Sequence, residues 1–72
     1  MKIRDEVIDL LKYGARRNLT RARLMREFDV SEQTVMSWAN ENAKDGELTR
    51  VTAVKLLAEE LGLAEDAILT EV

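Results

Sequence analysis

The side chains of this chain that can do chemistry are hydrogen-bonding groups rather than nucleophiles or metal ligands. Neither Cys nor His occurs. That removes disulfides, Cys or His metal sites, and Cys–His and Ser–His nucleophile pairs. Carboxylates remain, but no pair of them sits on an apolar background that would shift a pKa for acid–base work. No enzyme activity, cofactor, metal site or small-molecule substrate is therefore expected. What stands out is a polar set at helical spacing: Glu32, Gln33, Met36, Ser37 and Asn40, interleaved with Val35, Trp38 and Ala39. With the latter three turned inward, the five face outward together. Gln and Asn can each make two hydrogen bonds to adenine, and Ser suits several bases. Glu accepts from the cytosine amino group, and Met can meet a thymine methyl. Upstream, Arg16, Arg17, Thr20 and Arg21 lie where the chain enters the preceding helix. Guanidinium groups and helix N-terminal amides there suit phosphate oxygens.

These groups need short helices to hold them. Ile3, Val7, Leu10 and Leu11 recur at helical spacing, predicting a helix over about 2–13 that stops near Gly14. Thr20 reads as an N-cap, with Leu19 and Leu24 as a hydrophobic staple, for a second helix over about 20–28. Asp29 and Val30 interrupt, and Asp accepts the left-handed backbone of a sharp turn less readily than Gly. Ser31 caps a third helix to about Asn42, stapled by Val30 and Val35, with Glu32 in its first turn. After a polar loop, Thr49 caps a fourth helix whose Val51, Val54, Leu57, Ala58 and Leu61 hold the 3–4 spacing. Gly62 and Leu63 fit its C-terminal cap. A last short helix, about 64–70, carries Ile68 and Leu69, and no run alternates cleanly enough for a strand. The expectation is one all-α domain over residues 1–72: a compact bundle of about five short helices. It would contain a helix-turn-helix at about 20–42, whose second helix fits a major groove while the first braces it.

The 72 residues allow one modest core and no more, since a chain this short buries only roughly 60% of its unfolded surface. Hydrophobic residues make up 46% and charged residues 35%, which is globular rather than disordered. The absence of Pro and the three Gly suit helices joined by tight turns. Net charge is −3, yet residues 1–26 carry +5 and residues 27–72 carry −8. One face can therefore be positive on an acidic molecule. The acidic residues Glu59, Glu60, Glu65, Asp66 and Glu71 read as a solvated face, Trp38 and Met25 as core. The opening MKIRDEVIDLL is too interrupted by charge for a signal peptide, and nothing approaches a membrane span. A cytoplasmic protein, nucleoid-associated when bound, is expected.

The run TRARLMREFDVSEQTVMSWANEN, followed by VTAVKLLAEELGLAEDAIL, resembles the phage repressor and Cro-like (XRE-type) helix-turn-helix family. Leu24-Met25, Asp29, Ser31 and Val35 with Trp38 stand at the family's motif places. Leu61-Gly62-Leu63 with Asp66, Ile68 and Leu69 matches its later segment, so the likeness covers roughly 2–70. It implies a lambda-repressor-like fold, base contacts from Glu32, Gln33 and Ser37, and backbone contacts from Arg21 and Asn40. Met25 departs from a usual Ala, implying looser packing. Asp29 departs from a usual Gly, implying some turn strain. Ala64 replaces a usual cap, implying a frayed last helix.

Three functions follow as expectations. The first is a sequence-specific DNA-binding transcriptional regulator of phage-repressor type, with double-stranded DNA and a second copy as partners. Its dimer surface would be Ile68, Leu69 and Val72. The second is a protein–protein interaction module, an anti-repressor or accessory subunit, suggested by the acidic balance. The third is a piece of a larger regulator.

Overall fold

The computed structural model describes residues 1–71; Val72 lies outside the described residues. The chain is mostly helical. Among the described residues the α-helices are four, α1 (Asp5–Tyr13), α2 (Arg17–Phe28), α3 (Glu32–Glu41) and α4 (Val51–Leu61), with 3-10 turns at Glu47–Thr49 and Glu65–Ala67. Two-residue strands, β1 (Lys2–Ile3) and β2 (Leu69–Thr70), pair antiparallel and bring the two ends of the fold together. Ile3, Val7, Leu11, Leu24, Val35, Leu57 and Ile68 are each at most 1% exposed and belong to one cluster. All four helices and β1 thus deliver side chains to a single core.

The helix ends follow from residue type. At the end of α2, Asp29 takes the left-handed conformation (φ 53°, ψ 53°) and the Val30 amide reaches back to the Met25 carbonyl at 3.0 Å. Gly62 does the same after α4, with the Leu63 amide on the Ala58 carbonyl at 3.0 Å. Both are Schellman closures, and the first is strained because Asp carries a Cβ. Ser31 caps α3 as expected, its Oγ accepting from the Thr34 amide at 3.2 Å. Only Asp29–Ser31 separate α2 from α3.

Other expectations are corrected. The described residues hold four α-helices rather than five, and two strands where none was expected. The segment 64–70 makes one 3-10 turn and then extends. Ala64 offers no capping side chain, Ile68 is wholly buried, and Leu69 lies opposite Ile3. For the same reason α1 starts at Asp5, since Lys2 and Ile3 are taken into the strand pair. Helix α2 begins at Arg17 because Thr20 is not a cap. Its side chain is fully buried, and its Oγ1 donates to the Arg16 carbonyl one turn back at 2.8 Å. Leu19 stays 59% exposed, so the staple with Leu24 does not form. Thr49 likewise donates to the Gly46 carbonyl inside its 3-10 turn, at 2.6 Å. Helix α4 therefore opens at Val51, whose side chain points to solvent while Ala53, Val54, Leu56, Leu57 and Ala58 face the core.

Candidate nucleic-acid interface

Val35 and Ala39 are buried and Trp38 is half-buried, which turns the opposite side of α3 to solvent. Glu32, Gln33, Ser37 and Asn40 are exposed there, with Met36 half-buried among them. The structure brings these five together on one side of α3, where Glu41 joins them. Trp38 meets the Phe28 ring edge-on, with centroids 5.7 Å apart and planes at 87°. That contact ties α3 to the end of α2, and both rings pack on the core. Ser31 is exposed, but its hydroxyl is occupied as the cap and lies 3.1 Å from the Thr34 hydroxyl.

The basic flank is largely spoken for. Arg16 donates to the Glu60 carbonyl and carboxylate at 2.6 and 2.7 Å. Arg23 meets Glu59 and Glu60 at 3.1 and 3.0 Å. The hydrogen bonds from Arg16 and then Arg23 hold the Glu60 carboxyl below the usual carboxylate range. These pairs clamp α4 onto α2. Arg21 is drawn inward, its side chain 14% exposed. Its Nε donates to the Leu11 carbonyl at 3.0 Å and its Nη2 to the Lys12 carbonyl at 2.6 Å, sealing the end of α1. Its Nη1 lies 3.7 Å from the Glu32 carboxylate, linking that seal to the start of α3. Arg17 gives one bond to the Gly14 carbonyl at 3.1 Å. Thr20, expected beside phosphate, is a core residue and touches no solvent. Among the described residues, Arg4, Lys12, Arg17, Arg26, Lys44 and Lys55 hold no ion pair, and Arg4 is engaged by the Leu69 and Asp66 carbonyls.

Two features escaped sequence reasoning. Glu59 and Glu60 read as a solvated face, and Glu59 is exposed, yet together they pair with Arg16, just before α2, and Arg23 within it; the opposite charges were visible, the facing of the helices was not. Asn42 read as a helix end only. It adopts the left-handed conformation (φ 42°, ψ 51°), its Oδ1 accepts from the Ile3 amide at 3.1 Å, and its Nδ2 donates to the Ile3 carbonyl at 2.8 Å. The expected dimer surface is also corrected: Ile68 is 0% exposed and Leu69 half-buried, because both serve the core and β2, while Val72 lies outside the described residues.

No family model, curated protein or solved structure matches the chain. Among the described residues no group of three or more acidic side chains is placed to hold a metal ion, and no helix is long and apolar enough to cross a membrane.

Proposed function

We propose that this chain is a sequence-specific DNA-binding regulator of phage-repressor type, using α2 and α3 as a helix-turn-helix with α3 in a major groove. The observation that carries the reading is the outward side of α3. Gln33, Ser37 and Asn40 are exposed at successive turns, with donors and acceptors suited to base edges, while the opposite side is anchored in the core. The three-residue turn and the Ser31 cap support it. Phosphate contact falls to few cations, since Arg16, Arg21 and Arg23 are occupied within the fold.

The test is an NMR titration of labelled protein with mixed-sequence duplex DNA at two salt concentrations. Gln33, Ser37 and Asn40 should shift together. If Arg17, Arg26 and Lys44 each meet one phosphate, log affinity falls against log salt with a slope of about −2.7. That is about a 40-fold loss between roughly 50 and 200 mM. Silence of α3 at low salt, or shifts confined to α1 and α4, would sink the reading.

A second reading has its own observation. Glu32 and Glu41 stand exposed on α3, and the chain is acidic overall at −3. An α3 that ignores DNA but answers a basic protein would favour an interaction module on the same scaffold.

A further inference from the structure

Among the described residues the outward side of α1 is covered by no other element; its contacts are local, Lys2 on Asp5 at 3.8 Å and Lys12 over the Tyr13 ring at 5.6 Å. Val7, Ile8 and Leu11 are buried, and opposite them Glu6, Asp9, Leu10 and Tyr13 face solvent. Tyr13 is 72% exposed, Leu10 39%, and Leu19 at the start of α2 59%. Three large apolar side chains left in water around one helix and the turn after it are a cost to the monomer that an interface removes. The charge along this side is ordered. Asp5 is paired with Lys2, which leaves Glu6 and Asp9 to make its first half acidic, and Arg17, with half-buried Lys12 at the flank, makes its end basic. Arg17 spends a single bond on the Gly14 carbonyl, and its guanidinium holds no ion pair among the described residues. From N- to C-terminus the face therefore runs acidic, apolar, basic.

Such a face complements itself when reversed. We propose that α1 pairs antiparallel with α1 of a second copy of this chain across a two-fold axis. In a contact of this symmetry, residue i meets residue j and j meets i. Setting Leu10 against Tyr13 of the second copy carries Glu6 to the basic turn that holds Arg17, and the same pairings recur on the other side of the axis. Reversal also places the negative end of each helix dipole beside the positive end of the other. The contact is self-association of the free protein and does not depend on the DNA-binding reading. Helix α1 has nine residues and is about 13.5 Å long. The interface therefore falls short of the about 800 Å² per partner of a standard complex, and the dimer is weak, with a dissociation constant on the order of 0.1–1 mM.

Sedimentation equilibrium of the whole chain tests this between about 20 µM and about 2 mM, a span bracketing that constant. The mass should rise toward two chains at the upper end. Tyr13→Asp and Glu6→Arg should each weaken association at least about tenfold, a change of about 1.4 kcal/mol. Glu6→Arg combined with Arg17→Glu should recover it. Val51→Asp, which alters a 71% exposed apolar side chain on α4, should change nothing. The altered side chains on α1 and α4 are exposed, and far-UV circular dichroism checks that each variant is folded. A one-chain mass at the highest concentration would overturn the proposal, as would a dimer that survives Tyr13→Asp or is lost with Val51→Asp. Failure of the double charge exchange to recover association would overturn the antiparallel register.

Discussion

Asn42 joins the end of α3 to the first strand, and replacing it should cost a large part of the fold's stability. Ile3 is 1% exposed, and both its amide and its carbonyl are taken by the Asn42 side chain, at 3.1 and 2.8 Å. Asn42→Gly keeps the left-handed backbone (φ 42°) at ease and removes only the side-chain bonds. Two buried backbone groups then lose their partners, at about 1–3 kcal/mol each before relaxation, so a net loss of about 2–3 kcal/mol is expected. Asn42→Ala loses the same bonds and adds about 1 kcal/mol for a Cβ in the left-handed region. Asn42→Asp keeps the acceptor for the Ile3 amide but turns a carboxylate oxygen toward the Ile3 carbonyl, so it should cost at least as much as Gly. A chain of this size holds only about 4–10 kcal/mol in total, so the Gly variant alone removes about a fifth or more. Urea unfolding followed by circular dichroism reads this as a lower midpoint at unchanged m-value. A midpoint for Asn42→Gly within about 0.5 kcal/mol of the parent would refute the claim that these two bonds close the fold.

Two further outcomes are expected. Thr20→Val removes one buried hydroxyl bond to the Arg16 carbonyl (2.8 Å), which keeps its bond from the Thr20 amide. Stability should drop by about 1 kcal/mol while affinity for duplex DNA stays unchanged, and a loss of affinity without loss of stability would return Thr20 to the interface. Acid should weaken the clamp between α2 and α4. Glu60 is held below the usual carboxylate range by its hydrogen bonds from Arg16 and Arg23, and Asp45 by its hydrogen bond from the N-terminal ammonium at 2.8 Å. Folded values below unfolded ones contribute stability that is present above about pH 4.3 and lost as pH falls through the folded values. Urea midpoints measured from neutral pH downward should decline in that window, and Glu60→Gln should flatten the decline. An unchanged acid limb in that variant would place the responsible carboxylates elsewhere.

What could be read from the sequence was whatever is encoded within a turn or two of helix. The Ser31 cap, the Asp29 break, the Gly62–Leu63 ending and the inward set Val35, Val54, Leu57 and Ala58 all depend on neighbours a few residues apart. Thr20 and Thr49 mislead for an instructive reason. A Thr hydroxyl serves an amide ahead of it or a carbonyl behind it, and here both donate backward, to Arg16 and Gly46. The strands were illegible because two residues carry no period. Lys2–Ile3 extends only because Leu69–Thr70 arrives beside it from the far end of the chain. The arginines mislead similarly: their number suggests phosphate, and only the packing of α2 on α4 and α1 reveals that Glu59, Glu60 and the end of α1 claim most of them.

That packing bears on how α3 is presented. One end of α3 is fixed by Ser31 and by Arg21, which joins the Leu11 and Lys12 carbonyls to Glu32. The other end is fixed by Asn42, through β1 and so through β2. Between them Val35, Trp38 and Ala39 hold its inner side to the core. The exposed residues Gln33, Ser37 and Asn40 therefore ride on a helix secured at both termini and along its length. Groups displayed this way lose little freedom on docking, so the proposed DNA contact would need few phosphates. The arginines thus serve the scaffold first, Arg21 drawn inward and Arg16 and Arg23 paired at its surface. Under the DNA-binding proposal, this arrangement places the burden of binding on the fit of α3 rather than on phosphate attraction.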